Sequence, residues 1–228
     1  MNIQIWSDFS CPFCYIGKHN LEQAIMLLSE DEMAQIKIQY RSFELAPDAP
    51  LFTDQTLAEV LAERYQTTVE KAKELTVNSA GMAATVGLTI NNDKIIPTNT
   101  FLAHQLLHYV ANKAPSKIKA CADLLFKGYF QDGINLSDIV ALIEIADKLK
   151  LDLTDVKKAL DDEVYVNAVR DDEAIAHRIN IQSVPFFVID NEVAIQGAQK
   201  VEDFHQFLVE YLKEQNKQGH ENTPTQDA

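Results

Sequence analysis

Apolar residues alternate along the opening stretch "NIQIWS", with Ile3 and Ile5 on one side, and this period of two predicts a β-strand. From Pro12 the period lengthens to that of a helix. Cys14, Gly17, Leu21, Ala24, Ile25 and Leu28 then fall on one stripe. After a short acidic loop the alternation returns in "QIKIQYRSF", at Ile36, Ile38 and Tyr40. Strand, helix and strand in that order predict a βαβ opening.

Beyond "ELAPDAPLF", whose prolines punctuate the chain, the pattern is helical from residue 54 to about 179. Helices are predicted over 56–64, 68–86, 99–113, 116–130, 137–148 and 152–178, the last open to a break. Asn99 or Thr100 and Ser137 are the expected N-caps, and Gly87 and Gly133 the expected stops. β character returns in "SVPFFVIDNEVAIQGA", as two runs, Phe186–Ile189 and Val193–Gln196, joined by a turn at Asp190, Asn191 and Glu192. A closing amphipathic helix carries Phe204, Phe207, Leu208, Tyr211 and Leu212 on its apolar side and runs to about Gln215. The remainder, "KQGHENTPTQDA", has no apolar content and is expected to be disordered over 217–228.

The order is βαβ, a helical block, then ββα. Because the chain leaves its β layer once and returns, an α/β architecture follows: residues 1–53 and 180–216 build one small mixed sheet with helices on its faces, and 54–179 form an inserted all-helical domain.

With 228 residues, 46% of them hydrophobic, the chain can bury a sizeable core without disulfides. Its three cysteines, Cys11, Cys14 and Cys121, make at most one bridge, which fits a reducing, cytoplasmic setting better than a secreted one. No leader-like opening and no long apolar span is seen. A formal net charge of −14 repels phosphate backbones and anionic lipid, so nucleic acid and membrane surfaces are not expected partners.

Cys11 and Cys14 stand where strand gives way to helix. If Cys11 is the N-cap and Pro12 the first helical residue, a position that suits proline, the free N–H groups and the helix dipole favour a thiolate at Cys11. An exposed attacking thiol is expected there. Cys14 lies one turn deeper on the same side, within the usual disulfide Cα separation of about 4.4–6.8 Å, and is placed to resolve a mixed disulfide formed at Cys11. Two other chemistries compete. A metal site needs about four ligands and would have to recruit Cys121, His104 and His108 from the helical block. Two inert core cysteines would leave the proline between them without a reason.

"CPFC" after a first strand and "SVPFFVID" before a late hairpin, with a long helical stretch between, together resemble the DsbA family of thioredoxin-fold proteins. "SDFSCPFCYIGK", "NTFLAHQLLHY", "LLFKGYFQDGINLSD" and "IQSVPFFVIDNEVAIQGAQ" are similar to its cytoplasmic FrnE-like branch, and the likeness covers about residues 2–212. The resemblance implies a thioredoxin fold with a helical insertion, thiol–disulfide oxidoreductase activity on protein or small-molecule thiols and disulfides, glutathione among them, and no bound cofactor or metal. By the same match Cys11 is the nucleophile, Cys14 the resolving cysteine and Pro185 the cis-proline, although X–Pro bonds in general are cis only about 5–6% of the time. Val184, Pro12 and Phe13 are then the expected substrate contacts, with the Val184 backbone free to pair with an extended segment.

The chain departs from that pattern in places. Many thioredoxin-fold enzymes carry a buried acid six residues before the first cysteine, where this chain has Ile5. Asp8 can supply an acid or merely end the strand as a turn former, the reading favoured. Pro12–Phe13 lacks the charged or histidine side chain of strongly oxidising relatives. Lys18 is expected on the solvated surface, as are the clusters Asp161–Asp162–Glu163 and Asp171–Asp172–Glu173; Cys121 is expected in the core.

The leading function is therefore a thiol–disulfide oxidoreductase. An alternative is a glutathione-using transferase or isomerase, resembling the kappa-class transferases and 2-hydroxychromene-2-carboxylate isomerases, which typically have serine where Cys11 stands and lack the second cysteine. A third is a redox-controlled interaction protein.

Overall fold

The computed structural model describes residues 1–221. β1 (Asn2–Ser7) leads into α1 (Pro12–Met26), a single helical turn α2 (Glu30–Met33) and β2 (Lys37–Ser42). α3 (Leu57–Arg64), α4 (Val69–Thr85), α5 (Phe101–Lys113), α6 (Ile118–Lys127), α7 (Ile139–Lys148), α8 (Leu153–Asp161) and α9 (Val166–Arg178) follow before β3 (Phe186–Ile189), β4 (Val193–Gln196) and α10 (Val201–Glu221). The sheet order is β2-β1-β3-β4, with β1 parallel to β2 and antiparallel to β3. Both late strands fall on the residues that the alternation predicts. Their turn is made by Asp190 and Asn191, both at positive φ, a geometry that Asp and Asn tolerate.

The sheet separates two cores. Ile3 and Ile5 of β1 with Phe187 and Ile189 of β3 meet Leu21 and Ala24 of α1 and Phe204, Leu208 and Leu212 of α10. The opposite face supplies Trp6 and Val188 to a larger core built with α5, α6, α7, α8 and α9, and both active-region cysteines belong to it. A strand's period of two thus sends alternate residues to different helical layers.

Several boundaries differ from expectation for local reasons. The acidic stretch after α1 forms α2 because Ser29 and Glu32 make a reciprocal capping box, each side chain bonding the other's backbone N–H. α7 is capped by Asp138, whose carboxylate accepts from the Val140 N–H, while the hydroxyl of Ser137 donates to the Asn99 carbonyl instead. Asn99 caps the start of α5 through Phe101 N–H. The predicted helix over 152–178 breaks into α8 and α9, with Glu163 at positive φ in the link. The predicted helix over 116–130 is a 3-10 turn, then α6, then a π-helical turn, Gly128–Asp132, closed by Gly133 at φ 71°. α10 continues past Gln215 to Glu221, so 217–221 are helical backbone rather than the disordered tail expected; residues 222–228 lie outside the described part.

Candidate active site

α1 begins as its sequence dictates. Cys11 is the N-cap in an extended conformation, and Pro12 occupies the first helical position, where its missing N–H costs nothing. The Cys14 N–H points at Cys11 Sγ from 3.4 Å, so a free backbone donor of the first turn is aimed at the sulfur. Opposite, the Val184–Pro185 peptide bond is cis and the Val184 carbonyl lies 3.7 Å from Cys11 Sγ, accepting from the thiol.

The two thiols differ in environment. Burial pushes the Cys14 thiol well above its usual range, and its hydrogen bond and charge interaction with Cys11 push the same way. All three effects disfavour a thiolate at Cys14. The expected exposure of Cys11 is not found: it is 4% exposed against 1% for Cys14, because the helical block packs over both. Of the rings flanking the pair, Phe9 packs against Phe126 in a tilted contact at 5.1 Å, while Tyr15 stacks on Phe126 at 5.2 Å and on Phe130 at 5.6 Å. Pro12 is partly buried and Phe13 is 41% exposed, leaving an apolar edge beside Cys11.

Asp8 is a turn former and more. Its Oδ1 accepts from Ser10 N–H at 3.0 Å and from the Thr100 hydroxyl at 2.9 Å, while Oδ2 accepts from Leu45 N–H at 2.6 Å. One buried carboxylate thereby ties the turn before Cys11 to the segment after β2 and to the start of α5. His104 lies behind it, Nε2 4.0 Å from Asp8 Oδ1, with neither ring nitrogen hydrogen-bonded. Burial lowers its pKa to about 4, against the opposing pull of Asp8, so the ring is neutral near pH 7.

The other members of the metal reading lie elsewhere: Cys121 is in the apolar core, where burial pushes its thiol up, and His108 Nε2 sits 3.0 Å from Ser42 Oγ and 3.2 Å from Asp172 Oδ2. Among the described residues no group of three or more His, Cys, Asp or Glu side chains is gathered to hold a metal ion. A cavity of about 600 Å³ lies along β2 between α5 and α9, lined by Tyr40, Arg41, His108 and Asp172 among others, and neither Cys11 nor Cys14 lines it.

Two charged groups expected in solvent are buried. Lys18, 3% exposed, pairs with Glu22 at 2.7 Å and with Asp123 of α6; Lys119 of α6 pairs with both carboxylates, and the Tyr40 hydroxyl donates to Glu22 at 3.2 Å. Asp172, in the second acidic cluster, is buried under Arg41 at 2.7 Å and accepts from Ser42 N–H. Burial raises its pKa, but His108, Ser42 and Arg41 together outweigh that and hold it below the carboxylate range. Asp161, Asp162 and Glu163 are exposed.

Gly17 contributes a contact that periodicity alone does not assign. A Cβ there would stand 2.9 Å from Pro185 Cγ and 3.3 Å from Ala198 Cα, so only glycine lets α1 approach the Pro185 loop. A glycine inside a helix on its apolar stripe was the available signal.

A mixed four-stranded sheet, a C-x-x-C pair at the N-terminus of its first helix and a cis-proline beside the first thiol define a thioredoxin-like protein with a dithiol site. The chain belongs to the DSBA-like thioredoxin domain family, which it matches over residues 2–209. It is similar to a probable DsbA oxidoreductase from Streptomyces coelicolor, with 31% identity, a TM-score of 0.84, and coverage of 100% of this chain and 94% of that one. It is 27% identical over 217 residues to the uncharacterized protein YwbO of Bacillus subtilis, covering 93% of this chain and 98% of YwbO. The cytosolic disulfide reductase DsbM from Pseudomonas aeruginosa, solved with GSH, shares the fold at 13% identity and a TM-score of 0.65, over 93% of this chain and 100% of that one.

Proposed function

We propose that this protein is a cytoplasmic thiol–disulfide oxidoreductase of the FrnE-like branch, working through Cys11 and Cys14 on protein or small-molecule disulfides. The observation that carries the reading is the asymmetry of the pair. Cys11 Sγ receives the Cys14 N–H at the helix start, whereas Cys14 is deeper and held protonated by burial and by Cys11. In the reducing direction the Cys11 thiolate attacks a substrate disulfide and expels one thiolate. Cys14 then attacks Cys11 Sγ, closing the Cys11–Cys14 disulfide and releasing the second substrate thiolate. The oxidising direction is the reverse, and the potential sets the balance, about 1.4 kcal/mol for every 30 mV.

Val184, Pro12 and Phe13 form the substrate-facing edge beside Cys11 in this reading, and Pro185 holds the Val184 carbonyl over the sulfur. Because Cys11 is nearly covered, a substrate disulfide reaches it only as packing beside Phe13 yields. Glutathione is a fitting small thiol partner, supported by the shared fold of DsbM, which was solved with GSH. Retention of both thiols favours disulfide exchange over a glutathione transferase reaction, which needs no resolving cysteine. Cys14→Ser should accumulate a mixed disulfide with oxidised glutathione at Cys11, visible as a mass increase on the intact protein and absent from Cys11→Ser. No adduct on Cys14→Ser would contradict the assignment.

A further inference from the structure

β2 is an edge strand, since the sheet runs β2-β1-β3-β4, and the backbone groups on its outer side have no neighbouring strand to pair with. Two hydrogen bonds fix which groups these are. Lys37 N–H donates to the Met1 carbonyl at 2.9 Å, so Lys37, Gln39 and Arg41 turn their backbone groups toward β1. Alternate residues turn the other way, as Ser42 shows: its N–H leaves the sheet and donates to Asp172 Oδ2 of α9 at 3.0 Å. The N–H and C=O groups of Ile38 and Tyr40 therefore point outward, and among the described residues none of the four is hydrogen-bonded.

This row of donors and acceptors borders the cavity of about 600 Å³ beside β2, whose volume falls in the usual range of ligand clefts, about 300–1,000 Å³. Four consecutive residues, Ile38, Gln39, Tyr40 and Arg41, line it. Successive side chains of a strand face opposite ways, so a space touched by all four lies along the strand's edge rather than over one face. At about 3.3 Å per residue that edge runs about 13 Å, room for a segment of about four residues. The facing wall carries Ile118 of α6, Ile175 of α9 and the exposed carboxylate of Asp171, which no cation pairs with among the described residues. Asp172 differs: Arg41 and His108 hold it, and its bond to Ser42 N–H fills the place of a neighbouring strand's carbonyl.

We propose that the groove beside β2 binds an extended polypeptide segment as an added strand, one in which apolar residues alternate with lysine or arginine. The outward backbone groups of Ile38 and Tyr40 supply the pairing, as in strand addition generally. Apolar side chains of the segment settle against Ile118 and Ile175, and a cationic one meets Asp171. The net charge of −14 draws basic segments toward the molecule. A second copy of this chain fits less well, because its own β2 edge is flanked by α9 and it carries the same negative charge. Cys11 and Cys14 do not line the groove, so binding there does not depend on how the thiols are read.

The probe is a capped hexapeptide that alternates lysine and valine, titrated into the reduced, isotope-labelled full chain. Hydrogen exchange followed by NMR should show the Ile38 and Tyr40 amides slowed about tenfold or more at saturation. Two analogues, N-methylated at every lysine or at every valine, keep the charge and each lose the donors of one strand edge. One should bind about tenfold or more weakly than the parent peptide and the other about equally, since only one edge faces β2. Ile38→Pro removes one outward N–H without touching the ladder to β1 and should weaken the parent peptide by a similar factor; if that variant does not fold, the two analogues on the wild-type chain decide alone. No binding of the parent peptide, equal affinity of the two analogues, or saturation with neither amide slowed would overturn the assignment. Slowing of both amides in the free protein that grows with its concentration would overturn it in favour of a second copy on that edge.

Discussion

A buried histidine with no hydrogen-bond partner is a pH sensor in the energetic sense, and His104 is one. The unfolded chain takes up a proton near pH 6.5, whereas folded His104 resists until about pH 4. Its contribution to stability is therefore present in full above about pH 6.5 and is lost as pH falls to about 4, by roughly 3 kcal/mol in all. Removing a side chain whose polar atoms are unpaired costs little. His104→Leu should match or exceed wild-type stability at pH 8 in urea unfolding and should lose much less on going to pH 4.5. A variant that falls as steeply as wild type would refute that assignment. The residues whose roles were legible at this scale were those whose chemistry is local: Cys11 as N-cap, Pro12 at the first helical position and Cys14 one turn deeper. Lys18 and Asp172 were not legible, because a buried charge is explained by partners far away in sequence: Asp123 on α6 for one, Arg41 on β2 for the other.

Among the elements, α1 is held on both sides. Its apolar stripe packs on α10 and the sheet, its Lys18 and Glu22 join α6, and Gly17 admits the Pro185 loop. An alanine inside a helix ordinarily adds about 1 kcal/mol over glycine. Gly17→Ala should do the opposite. The 2.9 Å approach to Pro185 forces the loop away, and the variant should lose about 1–3 kcal/mol in denaturant unfolding and form the Cys11 mixed disulfide more slowly. A gain in stability would show that the loop yields freely. The strands and most helices were readable from periodicity because one face of each is buried. The helix ends were less so, since the capping box at Ser29, the cap at Asp138 and the break at Glu163 depend on side-chain geometry rather than on the apolar pattern.

For the whole molecule, the chain leaves its sheet after β2 and returns at β3, and the helices in between supply most of the core that encloses the cysteines. That topology was visible in the change of period along the sequence; the covering of Cys11 was not, because it depends on helices far away in sequence folding over the pair, where Phe126 and Phe130 join the same core as Phe9, Cys11 and Tyr15. The central claim is that Cys11 and Cys14 exchange electrons reversibly as one unit. It is tested most directly by equilibrating the protein in glutathione buffers of graded redox ratio, quenching with an alkylating agent and counting free thiols by mass spectrometry. The account predicts a single two-electron transition in which Cys11 and Cys14 lose alkylation together while Cys121 is unchanged, and which disappears in both Cys11→Ser and Cys14→Ser. Cys11 and Cys14 remaining fully alkylated at every ratio, or titrating independently, would contradict it.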